Sequence, residues 1–171
     1  MITIPTTKIK SFTQKNYDEL INTLPFHKVS CTCGQLGKLI KHGYYIRSIK
    51  TPDGLVKLKI LRVKCKSCKR THAILLDFIV PYSQILLKDH ISIIQVFEKQ
   101  LSFESIMLSN LLIDEGNLRY IIKQYLHHWK EKLLAYKKVF NASVSEHCFT
   151  IFKRQFMQIK QVPNILFIQP T

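Results

Sequence analysis

The sequence predicts an α+β protein in which a strand-forming segment precedes a helical one. A turn signal at residues 51–54 separates a segment rich in Ile and Tyr, residues 38–50, from one that alternates apolar with basic residues, residues 55–64, which is the pattern of paired strands. From Ser83 onward, apolar residues recur every three or four positions, as on one face of a helix. We therefore expect two domains. Residues 1–82 would hold a leading helix and the strands, and residues 83–171 would hold the helices.

A leading helix is predicted over residues 11–24. Its apolar residues have helical spacing and are Phe12, Tyr17, Leu20, Ile21 and Leu24. Pro25 follows directly and is expected to end the helix, because proline cannot donate the next backbone hydrogen bond.

The strands are expected to form a hairpin. Residues 38–50 are rich in Ile and Tyr, Thr51-Pro52-Asp53-Gly54 is a strong turn signal, and residues 55–64 alternate apolar with basic. Near Ile60 this alternation slips by one residue, which predicts a β-bulge. Residues 71–80 are a predicted third strand, ended by Pro81.

Three helices are predicted next. The first carries its apolar residues from Leu87 to Phe97, and a short second one spans residues 103–108 after a cap at Ser102. The third is capped by Asp114 and continues to Tyr136, with apolar residues three and four apart throughout.

A last helix is indicated by Ser143 and Glu146, which have the spacing of a capping box, and Pro163 is expected to end it. Cys148 falls on the apolar face of this helix. It is therefore assigned to the core rather than to a reactive site.

A short helix, a turn and a longer helix are the layout of a helix-turn-helix unit, so the helical domain is predicted to be helix-turn-helix-like. Leu118 and Ile122 would face its core. The residues expected to reach DNA bases and phosphates from the other face are Asn117, Arg119, Tyr120 and Lys123. A solvated polar face is the alternative, and Asp114 and Glu115 at the start of the helix would repel phosphates.

The charge of the chain points to a polyanionic partner. Its 171 residues include 26 Lys and Arg against 11 Asp and Glu, a formal charge of +15. Eleven of the basic residues fall in residues 38–70, where Asp53 is the single acid. Three basic residues of the second predicted strand are expected to contact DNA phosphates, namely Lys57, Lys59 and Arg62. Arg70, which follows the second cysteine pair, is expected to do so as well. The alternative is a solvated strand edge whose charges discourage pairing with other strands.

Membrane partners are not expected. The longest apolar run, residues 73–80, is far shorter than a spanning helix and is interrupted by Asp77. Residues 1–10 lack the apolar segment and cleavage site of a signal peptide, so we expect a cytoplasmic protein.

Four of the five cysteines are expected to bind one structural Zn²⁺ ion: Cys31, Cys33, Cys65 and Cys68. The second pair has the two-residue gap of a zinc knuckle, whereas the first has a gap of one. The predicted hairpin between the pairs would bring them together at its open end, as in a zinc ribbon. A histidine could replace one thiolate, the candidates being His27, His42 and His72, and a set of ordinary thiols is the remaining alternative.

Several short blocks occur in order: Cys31-Thr32-Cys33-Gly34, Lys41-His42-Gly43-Tyr44-Tyr45, Leu61-Arg62-Val63-Lys64-Cys65-Lys66-Ser67-Cys68 and Thr71-His72-Ala73. In these blocks the chain resembles the amino-terminal zinc-ribbon region of bacterial insertion-sequence transposases. It resembles more closely a bacterial family of uncharacterised small proteins that join such a ribbon to a helical segment. The resemblance covers about residues 25–135 and implies DNA binding, in a chain without the transposase catalytic domain.

No catalysis is expected. Transposase chemistry needs three acidic residues around two divalent cations, and the acids here are scattered singly or in adjacent pairs. There is no phosphate-binding glycine loop either. The resulting prediction is a zinc-stabilised protein that binds double-stranded DNA and is accessory to, or derived from, a transposable element.

Two other functions remain open. A protein-interaction adaptor would dock a recombinase, transposase or polymerase subunit through the ribbon and through Tyr125, Trp129 and Tyr136. An RNA-binding ribbon would instead use Tyr44 and Tyr45 with the basic hairpin, because stacking aromatics are typical of RNA recognition.

Overall fold

The computed structural model describes residues 1–6, 13–160 and 162–167. It confirms the mixed α+β class, with a four-stranded sheet and several helices. The chain divides into two compact units. One comprises Met1–Ile49 and Val56–Asp77, and the other comprises Lys50–Leu55 and Phe78–Thr171.

The first unit is built on the sheet, whose strands are β1 (Ile2–Ile4), β2 (Leu39–Thr51), β3 (Gly54–Cys65) and β4 (Thr71–Leu76), in the spatial order β1-β4-β3-β2. β1 runs parallel to β4, and β4 runs antiparallel to β3. The predicted hairpin is confirmed as β2 and β3, which are neighbours joined by two residues, a connection that only antiparallel strands allow.

The third strand is shorter than predicted, because β4 ends at Leu76 and not at residue 80. The backbone N–H of Asp77 donates to the Ile4 carbonyl (3.0 Å), and the Asp77 carboxylate accepts hydrogen bonds from the backbone N–H (3.0 Å) and the hydroxyl of Thr6. These contacts to two residues far away in sequence hold Asp77 at the end of the strand, and no local sequence pattern predicts them.

Helix α1 spans Gln14–Thr23 and begins after Thr13, whose hydroxyl accepts from the Asn16 N–H (3.2 Å). Ser11 and Phe12, the first residues of the predicted helix, lie outside the described residues. The helix supplies Tyr17 to the core. Its hydroxyl accepts from the Leu61 N–H (2.9 Å) and donates to the Ile74 carbonyl (3.0 Å).

The predicted slip along β3 is confirmed by burial. Leu58 and Ile60 are buried, and after them Leu61 and Val63 are buried too, so the buried side changes from even to odd positions. The paired residues of β3 and β4 begin at Arg62 and Ala73. At the next position the Tyr17 hydroxyl links the two strands, and so it replaces a direct hydrogen bond between them.

The second unit is helical. Its helices are α2 (Leu87–Glu98), α3 (Glu104–Ser109), α4 (Glu115–Tyr125), α5 (Glu131–Ala135) and α6 (Ala142–Phe152). A π-helical turn, Leu126–Lys130, joins α4 to α5 without a break, so the long third helix is confirmed over residues 115–135. The predicted cap is also confirmed, since the Asp114 carboxylate accepts from the Asn117 N–H (2.8 Å).

Aromatic rings fill the core of the helical unit. Trp129 meets Phe140 and Phe156 at centroid distances of 5.8 and 5.7 Å, and Tyr125 meets Phe140 at 5.8 Å. Cys148 is fully buried in the same core, as predicted, and burial raises the pKa of its thiol to about 12. Among the described residues, no helix is both long and apolar enough to cross a membrane.

The prediction for the last helix was wrong at both ends. Asn141, and not Ser143, is its cap, with the side-chain oxygen accepting from the Val144 N–H (2.9 Å). The helix ends at Phe152, well before Pro163, because Lys153 adopts a left-handed conformation (φ 51°).

Candidate metal centre

The structure brings together the four cysteines singled out by their spacing. The sulfur atoms of Cys31, Cys33, Cys65 and Cys68 all lie within 4.8 Å of one another. Cys31 Sγ is 3.6 Å from Cys68 Sγ, and Cys33 Sγ is 3.9 Å from Cys65 Sγ. All four are free thiols, and a group of this kind could hold one metal ion.

The second cysteine pair is held by a tight turn at the end of β3. The Lys69 N–H donates to the Cys65 carbonyl (3.0 Å), and the Cys65 N–H donates to the Arg70 carbonyl (3.0 Å). Lys69 takes a left-handed conformation (φ 61°) to close this turn. Backbone N–H groups, chiefly that of Cys68, hydrogen-bond the Cys65 sulfur and lower the pKa of its thiol to about 6. The turn therefore favours the thiolate, which is the form that binds metals.

The first pair lies in a different turn. The Cys31 N–H donates to the Gln35 carbonyl (2.8 Å), and the Gly34 N–H donates to the Cys31 carbonyl (2.9 Å). Gly34 has φ +87°, a conformation in which glycine has no steric cost. The two loops are linked, because the Lys66 N–H donates to the Lys38 carbonyl (2.8 Å). The one-residue gap thus does not prevent both sulfurs from reaching the cluster.

A histidine adjoins the sulfurs. His72 is 6% exposed, and its Nε2 lies 3.3 Å from Cys31 Sγ. Its Nδ1 is 3.5 Å from the amino nitrogen of Met1. Burial, and then the positive charges of that amino group and of Arg70, lower the pKa of His72. His72 thus neighbours the cysteine group, whereas His27 and His42 are exposed.

The predicted phosphate-binding residues of the hairpin lie on its exposed side. Lys57, Lys59 and Arg62 are exposed. Because the alternation shifts by one residue at Ile60, the basic side chains before and after Ile60 point to the same exposed side. Lys59 Nζ lies 4.8 Å from the centre of the Tyr44 ring. Arg70, just after the second cysteine turn, is exposed as well.

The predicted DNA-contacting residues of α4 are placed differently. The Asn117 side-chain oxygen accepts from the Asp114 N–H (3.2 Å) and from Lys50 Nζ (2.7 Å). Arg119 forms an ion pair with Glu115, with Nη2 2.7 Å from Oε2. Tyr120 and Lys123 are exposed. Two of the four predicted contacts are therefore engaged with their own unit.

Two aromatics assigned to partner docking are in the core instead. Tyr125 and Trp129 are buried, so they cannot present their rings to a partner while the helical unit is folded. Both residues lie on the buried side of the long third helix, whose position the spacing of apolar residues predicted. Tyr136 is half-buried and stacks on Phe167 at 4.5 Å.

One surface of the helical unit was not anticipated. Leu108 and Leu111 are 68% and 81% exposed and line a cavity of about 710 Å³ that also involves Phe103, Leu118 and Ile122. We call this surface the α3–α4 groove. The sequence feature that could have predicted this surface is Leu111, an apolar residue in the turn predicted between the second and third helices.

No curated protein matches the chain, and no solved structure matches it. One family model matches residues 30–110, a range that holds the four cysteines, the hairpin and helices α2 and α3. Over that range the chain is similar to a family described as a domain of unknown function (DUF6431).

Proposed function

We propose that this chain is a zinc-stabilised DNA-binding protein, accessory to or derived from a transposable element and without a catalytic role. In this proposal the four cysteines bind one Zn²⁺ ion and form a zinc ribbon with the β2–β3 hairpin. The ribbon holds the basic side of the hairpin in a fixed shape, and this side binds DNA phosphates.

The sulfur positions support zinc. A tetrahedron with zinc–sulfur bonds of about 2.3 Å has sulfurs about 3.8 Å apart. Two of the sulfur pairs here are 3.6 and 3.9 Å apart, and all four sulfurs lie within 4.8 Å, so the ion would need little rearrangement of the chain. Four thiolates leave no open position for water or substrate, which makes such a site structural.

The observation that carries the proposal is the joint position of the sulfurs and the cations. Lys57, Lys59 and Arg62 are exposed on the strand that ends in Cys65. Lysine and arginine bind phosphates and release their counterions, which is the main source of affinity for DNA. A metal centre at the end of β3 would therefore order the strand that carries these charges.

The mobile-element link is supported by the resemblance of the cysteine and His-Gly-Tyr blocks to the transposase ribbon region. The order of helices α2, α3 and α4 supports a helix-turn-helix-like unit, with α4 in the place of the recognition helix. Its exposed residues Tyr120 and Lys123 would then add contacts to the DNA.

Metal analysis and a binding series together test the proposal. We expect about one zinc per purified chain. We also expect labelled duplex DNA to bind at low salt, with affinity falling as salt rises at a logarithmic slope of roughly −3 to −4 if Lys57, Lys59, Arg62 and Arg70 each contact one phosphate. A chelator, or the double variant Cys65→Ser with Cys68→Ser, should abolish the binding, and Cys148→Ser should not. Binding that is absent at low salt, or insensitive to salt, would contradict the proposal.

A protein-interaction adaptor is a second candidate, and the α3–α4 groove favours it. Exposed leucines beside a concave surface are typical of protein docking sites. Capture of one recombinase or polymerase subunit that survives nuclease treatment, and that is lost in Leu111→Lys but kept in the control Leu36→Lys, would favour this function.

A further inference from the structure

The exposed side of the hairpin carries more than positive charge. Tyr44 and Ile46 are two residues apart on β2, so their side chains point to one face, and they are 46% and 71% exposed. Lys59 of β3 lies on the same face, since its ammonium group is 4.8 Å from the Tyr44 ring centre. Lys57, two residues before it, shares that face and is exposed. An aromatic ring and an apolar side chain are thus displayed among lysines.

This combination suits one kind of nucleic acid better than another. A duplex is read in its major groove by amide and guanidinium groups that hydrogen-bond base edges. The middle of the hairpin face offers Tyr44 and Ile46, which carry no amide or guanidinium group. An unpaired strand instead presents the flat faces of its bases, which stack on aromatic rings while cations bind its phosphates.

The start of α4 is less suited to reading bases. A recognition helix contacts them with its N-terminal residues. Here those positions hold two acids, Asp114 and Glu115, whose side chains are 62% and 71% exposed, and the Asp114 carboxylate is paired with Lys50 Nζ (2.9 Å). The nearby Arg119 is paired with Glu115, as described above. The electrostatic preference for a polyanion therefore lies with the hairpin.

We propose that the hairpin face binds an unpaired nucleic-acid strand, with a base stacked on Tyr44 and the adjoining phosphates bound by Lys57, Lys59 and Arg62. This inference rests on the proposed function and narrows its partner to DNA in which bases are unpaired. DNA and RNA strands share the chemistry that the face recognises, so the test includes both.

The test measures the affinity of the zinc-loaded full chain for three labelled probes by fluorescence anisotropy. The probes are a 12-nucleotide DNA strand, the same sequence as a duplex, and the same sequence as an RNA strand. Tyr44→Leu keeps apolar volume but removes the ring, and Tyr44→Phe keeps the ring. Tyr82→Leu is the control, because Tyr82 is also an exposed tyrosine (85%) and lies outside the hairpin. Zinc content and thermal unfolding would verify that each variant is folded.

We expect the single strand to bind more tightly than the duplex. Tyr44→Leu should weaken single-strand binding about tenfold or more, the range measured for loss of one stacked base, whereas Tyr44→Phe and Tyr82→Leu should bind like the unchanged chain. Equal or tighter duplex binding, or equal losses in the two leucine variants, would overturn the inference and leave the proposed DNA binding intact.

The remaining outcomes separate the two proposals. Tighter binding of the RNA strand than of either DNA probe, with the same Tyr44 dependence, would support the hairpin face and overturn DNA as its partner. Binding to none of the three probes at low salt would overturn both.

Discussion

At the scale of single residues, Tyr17 shows how one hydroxyl organises the sheet. It accepts from the Leu61 N–H and donates to the Ile74 carbonyl, two backbone groups that face each other where β3 and β4 cease to pair. The neighbouring Gln14 does the same for Lys59, whose N–H donates to the Gln14 side-chain oxygen (2.7 Å). Tyr17 of helix α1 thus satisfies two strand groups that would otherwise be buried without partners, and Gln14 pairs an exposed one.

Tyr17→Phe should therefore be costly although it removes a single atom. The Leu61 N–H and Ile74 carbonyl would lose their partner inside the core, and each unsatisfied buried group costs about 1–3 kcal/mol. We expect the free energy of unfolding in urea to fall by about 1–3 kcal/mol for each of the two groups. Tyr120→Phe, at an exposed hydroxyl, is the control and should change it little. Equal effects in the two variants would refute the role of the Tyr17 hydroxyl.

His90 provides a pH-dependent test of burial. It is fully buried in the helical unit, with Nε2 2.9 Å from the Ser83 hydroxyl oxygen, and burial lowers its pKa to about 3. The unfolded chain takes up a proton near pH 6.5, whereas the folded chain does not. The stabilisation by neutral His90 is therefore complete above pH 6.5 and is lost as the pH falls toward 3.

His90→Gln, which can still hydrogen-bond Ser83, should flatten this dependence. Between pH 7 and pH 4.5 the unchanged chain should lose about 2–3 kcal/mol more stability than the variant. Acid also acts on the cysteines and on Asp89, whose pKa is raised by burial. These effects are common to both chains, so they cancel in the comparison. Parallel stability curves for the two chains would show that His90 does not titrate in this way.

At the scale of elements, the first cysteine loop depends on close backbone packing at Gly37. A Cβ atom there would lie 2.9 Å from the His27 carbonyl oxygen, and the residue has φ +65°. Gly34 in the same loop also has a positive φ of +87°, but a Cβ atom there would meet nothing within 4 Å. Comparing substitutions at the two glycines therefore distinguishes the effect of steric overlap from that of backbone strain.

Gly37→Ala should weaken metal binding more than Gly34→Ala. Both variants carry the cost of a left-handed alanine, and only the first forces backbone apart, adding about 1–3 kcal/mol. Competition against a zinc indicator would measure the two affinities. Similar affinities would mean that the loop moves freely at Gly37.

Much of the element order could be predicted from sequence, because it depends on local signals. The turn at Thr51 to Gly54 and the cap at Asp114 each use side chains that act within three residues. The failures have non-local or competing causes. The end of β4 depends on Thr6, and Ser143 matched a capping pattern that Asn141, two residues earlier, fulfils. Spacing also identified the four cysteines and put Trp129 on the apolar side of its helix, whereas the exposure of Leu111 depends on packing that spacing does not specify.

At the scale of the whole molecule, the two units are stabilised by different means. The helical unit has a core of large rings, with Phe140 and Phe156 4.6 Å apart and Trp129 against both. The sheet unit holds its cysteine loops through a few backbone hydrogen bonds, including Lys66 to Lys38. Four thiolates brought within 4.8 Å without a cation would repel one another.

Metal removal should therefore affect the units unequally. Because metal-binding energy contributes directly to the folded state, a chelator should raise amide hydrogen exchange in the cysteine loops, in β4 and at the end of β3. The amides of α2 and α4 should keep their protection, since their core contains none of the four cysteines. Hydrogen-exchange mass spectrometry with and without chelator measures both, and Cys65→Ser without chelator should reproduce the pattern. If α2 and α4 lost protection together with β4, the two units would unfold as one, and zinc would stabilise the chain as a whole.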